Sequence, residues 1–116
     1  MYNKEVKDID LFCGVARAIT KVKPELKPEI EDTGGGIICL KLKQDDKWIL
    51  VGCDNGTINF GWYVDEHCME EDEDSEKFCS LPVKACDDFN LVAISLLYGI
   101  NEIGIYDLKD YHKKLS

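Results

Sequence analysis

Asn55-Gly56 stands between two apolar, strand-like runs, and this pair restricts the fold of the chain more than any other feature. Both residues tolerate positive φ, so together they close a two-residue β-hairpin. Around them the sequence reads as a meander. Residues 37–43 alternate, with Ile38, Leu40 and Leu42 on one side and Ile37, Cys39, Lys41 and Lys43 on the other. Gln44-Asp45-Asp46 is a polar turn, residues 48–53 are the next strand, and residues 57–64, rich in β-branched and aromatic side chains, are the third. Residues 77–81 are expected to add a short edge strand. Trp48, Phe60 and Trp62 are expected to line one face of the sheet.

Helices flank this block. Residues 3–22 place Val6, Ile9, Phe12, Val15, Ala16 and Ile19 at three-and-four spacing, an amphipathic helix that Pro24 ends. Residues 24–32 are expected to run extended, anchored by Leu26 and Ile30. Beyond Pro82, a stretch from Val83 and Cys86 through Phe89, Val92, Ala93, Leu96 and Leu97 has helical spacing. Asp87 and Asp88 lie near its positive end, and Gly99 is placed to cap its other end. Asp107 is expected to cap a final short helix reaching Leu115. The expectation is therefore an α+β fold: an N-terminal helix, an antiparallel three- to four-stranded meander, then a C-terminal helix and a short terminal helix packed on one face of the sheet. At 116 residues, with 45% hydrophobic residues, the chain fits one domain over 1–116 without a metal or disulfide staple.

Charge narrows the function classes. The formal net charge of -9 repels a phosphate backbone, which argues against direct nucleic-acid binding and favours partners with a basic surface. Six cysteines sit mostly within apolar stretches, and the polar, charged start has no secretory h-region. Reduced thiols in a cytoplasmic protein are the expectation. No apolar run reaches the roughly 20 residues a bilayer demands, so no membrane partner is expected.

Two segments stand out as candidate sites. Eight carboxylates, Asp65, Glu66, Glu70, Glu71, Asp72, Glu73, Asp74 and Glu76, crowd into twelve residues. Such a run either solvates a loop or imitates a nucleic-acid backbone to occupy a basic groove. Trp62, if it faces water nearby, is the natural aromatic anchor of that contact. Thr33-Gly34-Gly35-Gly36 is the alternative, since successive glycines let backbone N–H groups cradle an anion or nucleotide. It lacks the Gly-Lys-Ser/Thr ending of a phosphate loop and precedes a strand rather than a helix.

Metal and catalytic chemistry have weaker support. His67, Cys68, Cys79 and Cys86 lack the paired spacing of a zinc site, and residues 72–77 lack the glycine of a calcium loop. With only His67 and His112, no nucleophile, base and orienting group can be assembled from the sequence. A non-enzymatic protein without metal or cofactor is expected.

Glu31-Asp32-Thr33-Gly34-Gly35-Gly36-Ile37, followed by Trp48-Ile49-Leu50-Val51 and Gly61-Trp62-Tyr63, resembles small uncharacterised proteins of phages and mobile elements. In those, a Thr-Gly-Gly-Gly segment opens a short antiparallel sheet. The resemblance carries no assigned activity. It implies a phage-like setting, in which small acidic proteins inhibit host defence nucleases, and hence an anti-CRISPR-like inhibitor as the concrete expectation.

Overall fold

The computed structural model describes residues 8–32, 38–54, 57–63, 77–84 and 88–115. Its elements are helix α1 (Asp8–Val22), a 3-10 turn (Pro24–Leu26), strands β1 (Glu29–Asp32), β2 (Ile38–Gln44), β3 (Lys47–Asp54), β4 (Thr57–Tyr63) and β5 (Lys77–Lys84), helix α2 (Phe89–Gly99), a 3-10 turn (Ile105–Asp107) and helix α3 (Leu108–Leu115). The fold is α+β. All five strands form one antiparallel sheet in the order β1-β2-β3-β4-β5.

The strand pairings match the turn signals of the sequence. Gln44 pairs with Lys47, so Asp45-Asp46 forms a two-residue turn, with Asp45 at φ 55°. Asp54 pairs with Thr57, so β3 and β4 are antiparallel neighbours on either side of Asn55-Gly56, which lie outside the described residues. Directly opposed residues share a face. The register therefore puts Leu40 with Val51, Leu42 with Ile49, Ile49 with Trp62, and Val51 with Phe60 on one face. That face joins Leu11, Phe12, Val15, Ala18 and Ile19 of α1, Val92, Ala93, Leu96 and Leu97 of α2, and Leu115 of α3 in a single core.

Several boundaries differ from the sequence expectation. The sheet has a fifth strand, because β1 pairs with β2 through Ile30 opposite Leu40 and Glu31 opposite Cys39. Glu and Asp are poor strand formers, so the run Glu29-Ile30-Glu31-Asp32 gives little β signal by itself. Its pairing is secured by Ile30 packing on the core and by two carboxylates gripping Lys41. β5 extends through Pro82 to Lys84, so Val83 belongs to the sheet and α2 starts only at Phe89. An edge strand tolerates a proline, and the register slips between the pairs Thr57–Lys84 and Asn59–Ser80, where Pro82 lies.

The helix faces and caps also shift. In α1 the buried stripe is Leu11, Phe12, Val15, Ala18 and Ile19, whereas Ile9 is 42% exposed. Asp88 caps α2, its carboxylate accepting from the Leu91 N–H at 3.1 Å. The far end is closed by Asn101 at φ 66° rather than by Gly99. The Glu102 N–H bonds to Leu97 O and the Asn101 N–H to Tyr98 O, the paired bonds of a Schellman motif. Asp107 accepts from the Gly104 N–H at 2.9 Å and so closes the 3-10 turn before α3. Trp48 lies opposite Tyr63, on the face away from Phe60 and Trp62. No described helix is long and apolar enough to cross a membrane.

Candidate functional site

The described flanks of the two segments singled out by composition stand at opposite ends of the sheet. The carboxylates at Asp65, Glu66, Glu70, Glu71, Asp72, Glu73, Asp74 and Glu76 lie outside the described residues. Their flanks are fixed, because the chain leaves the sheet after Tyr63 and rejoins it at Lys77, which pairs with Trp62. Thr33, Gly34, Gly35 and Gly36 also lie outside the described residues. They join Asp32 to Ile38, an opposed pair of β1 and β2, so both flanks are strands and no helix end is offered to an anion.

Trp62 is described, and it does not meet the condition for an aromatic anchor, that it face water. It is only 8% exposed and meets Phe60 edge-on, with ring centroids 5.3 Å apart and planes at 72°. Its core position follows from the alternation of β4, which turns residues 58, 60 and 62 toward the helices.

Its indole opens onto a polar joint that the sequence does not announce. The Trp62 Nε1–H donates to Gln44 Oε1 at 2.8 Å. Gln44 Nε2 in turn donates to Ile100 O at 2.7 Å and to Glu102 Oε2 at 2.8 Å. One carboxamide thus ties the β2–β3 turn to the C-terminal cap of α2. Beside the joint is a cleft of about 470 Å³, lined by residues 44–47, Trp62 and residues 100–102. Its charged lining residues are Asp45, Asp46, Lys47 and Glu102. Within a helical turn or so along the chain stand exposed apolar groups: Tyr98 at 44%, Ile105, and Tyr106 at 95%. Glutamine at a strand end gives no sequence signal of such a joint. The aromatic surplus of residues 98–106 is visible, but not its exposure.

The other face of the sheet carries a second polar arrangement. Lys41 is 5% exposed, with its ammonium 3.2 Å from Glu29 Oε2 and 2.9 Å from Glu31 Oε1. It lies 5.0 Å from the Trp48 ring centroid, and Lys43 lies 4.7 Å from the same ring. A buried ammonium flanked by carboxylates and an aromatic ring is satisfied where it stands, and this favours a structural part for it.

Cys13 is a free, exposed thiol, Cys39 is buried and Cys53 is half-buried. Cys68, Cys86 and His67 lie outside the described residues, and His112 is exposed on α3. Among the described residues, no group of three or more His, Cys, Asp and Glu side chains is gathered to hold a metal. Comparison with protein-family models, curated proteins and solved structures returns no match.

Proposed function

We propose that this protein is a non-catalytic binding protein that occupies a basic surface of a nucleic-acid-binding partner, in the manner of an anti-CRISPR inhibitor. One observation carries the reading: eight of the twelve residues at positions 65–76 are carboxylates, in a chain of net charge -9. The sheet supports it further, since the described flanks of this segment, Tyr63 and Lys77, stand at the end of the sheet where Asp45, Asp46 and Glu102 also stand. A concentrated negative field of this kind attracts the lysines and arginines that would otherwise hold phosphates. It speeds encounter and supplies register, while apolar contacts set the lifetime of the complex.

The test is capture of partners on the immobilised full chain, followed by competition. Binding is expected to fall steeply as salt rises, and duplex DNA or RNA is expected to displace the captured protein. Replacing Glu70, Glu71, Asp72, Glu73 and Asp74 by their amides is expected to abolish capture. Capture that survives this quintuple change, or that ignores both salt and nucleic acid, removes the proposal.

A further inference from the structure

Helix α2 has no charged side chain, in a chain of which 32% is charged. From Phe89 to Gly99 its only polar side-chain groups are Asn90, Ser95 and the Tyr98 hydroxyl. A helix that is apolar all round is ordinarily enclosed on every side. This one is not. Val92, Ala93, Ile94, Leu96 and Leu97 belong to the core, while Leu91 is 41% and Tyr98 44% exposed. Leu91, Ser95 and Tyr98 follow at spacings of four and three, so they form one stripe along a single side of the helix. The other two helices keep charges at exposed positions, Asp10, Arg17 and Lys21 on α1 and Lys109, Asp110 and Lys113 on α3.

We infer that this stripe is where a second copy of the chain docks, α2 against α2 in antiparallel orientation about a two-fold axis. Charge selects both the occupant and the place. Two copies of net charge -9 repel each other, and a stripe without charge is where they can touch without opposing like charges. The stripe is also complementary to itself. In an antiparallel pair centred between residues 94 and 95, Leu91 of one copy meets Tyr98 of the other, and Tyr98 meets Leu91, as a two-fold contact requires. Ser95, small and half-buried, lies at the crossing and lets the backbones approach. Area bounds the strength. Two leucines and two tyrosines, each less than half exposed, cover far less than the roughly 1,200–2,000 Å² of a stable interface, so the pair is transient, with a dissociation constant from about 10 µM to about 1 mM. The inference goes beyond the acidic-binding reading and does not depend on it.

Sedimentation equilibrium of the full chain, from about 1 µM to about 1 mM, is the test. A monomer–dimer equilibrium is expected. It is expected to tighten several-fold as salt rises from about 0.02 M to about 0.5 M, because screening removes the net repulsion and leaves the apolar contact. Contacts made by the acidic run respond to salt in the opposite sense, so the loss of either reading leaves the other standing. Leu91→Glu and Tyr98→Lys are each expected to weaken the dimer at least about tenfold. A carboxylate near the start of a helix and an ammonium near its end both suit the dipole, so both variants are expected to keep the parental circular dichroism at about 1 µM. Mixed in equal amounts, the two variants are expected to recover a dimer. In it the new carboxylate meets the new ammonium, and Tyr98 of one copy still meets Leu91 of the other. A chain that stays monomeric at every concentration and salt, a dimer weakened by salt, a dimer that either variant leaves at parental strength, or a mixture that stays monomeric would each overturn the inference. The first of these is the result if a different protein covers the stripe.

Discussion

Gly14 of α1 and Phe89, the first residue of α2, meet so closely that a Cβ on Gly14 would fall inside the phenyl ring's own contact distance. The helices approach at this point because one of them has no side chain. Phe89 is half-buried and packs against the core rather than lying free on the surface. Gly14→Ala gains about 1 kcal/mol in helix propensity but forces a shift of ring or backbone costing roughly 1–3 kcal/mol. A net fall in melting temperature is expected, and Phe89→Leu in the same chain is expected to recover part of it. Thermal unfolding followed by far-UV circular dichroism checks both.

Gln44 joins sheet and helix with a single carboxamide. Gln44→Ala would deprive the Trp62 N–H and Ile100 O of their partner and is expected to lower stability by about 1–3 kcal/mol. Gln44→Glu is expected to be worse, because it removes both donors and sets a carboxylate against Glu102. Urea unfolding read by tryptophan fluorescence gives the ranking, with both variants below the parent.

Lys41 depends on Glu29 and Glu31 from the neighbouring strand. Changing both to glutamine leaves a 5% exposed ammonium without these carboxylates. Stability is expected to fall by about 1–3 kcal/mol, below the usual figure for a broken buried pair because the glutamates are partly solvated. Amide hydrogen exchange is expected to quicken first in β1, whose attachment to β2 the pair reinforces. Lys41→Met, which removes the charge and keeps most of the stem, is expected to cost less than the double glutamine change.

Asn101 closes α2 in the left-handed region. Asn101→Gly is expected to be neutral or slightly stabilising, whereas Asn101→Ala is expected to lose about 1 kcal/mol to backbone strain. At the other end, Asp88→Ala removes a cap and is expected to cost a similar amount. The equilibrium unfolding midpoints of the three variants, in that order, test the assignment of both caps.

What could be read from the sequence follows from how local each signal is. Asn55-Gly56, the alternation from Ile38 to Leu42, and the stop at Pro24 are decided by neighbouring residues, and the hairpins and the end of α1 stand where those residues place them. β1 could not be read this way. Three of its four side chains are acidic, and it is a strand only because Lys41 and Leu40 of β2 accept it. Asp88 marks the start of α2, but Val83 has the same apolar character in an edge strand as in a helix and Pro82 reads as a break in either, so the end of β5 is not legible. The part of Trp62 is open for a related reason: an aromatic before an acidic run is an anchor only if it faces water, and the register turns this one inward. The exposed Tyr98 and Tyr106 carry no mark of exposure in their neighbours.

An open sheet has two borders, and the one formed by β1 bears on colloidal behaviour rather than on binding. Glu29, Glu31 and Asp32 occupy three of its four positions. A second copy adding its own β1 there would bring like charges into register at the 4.7–4.9 Å spacing of paired strands, which the Coulomb term opposes. The same glutamates that hold Lys41 thus discourage edge-to-edge stacking into fibrils. The double glutamine variant, besides being less stable, is the one in which ordered aggregation should first appear.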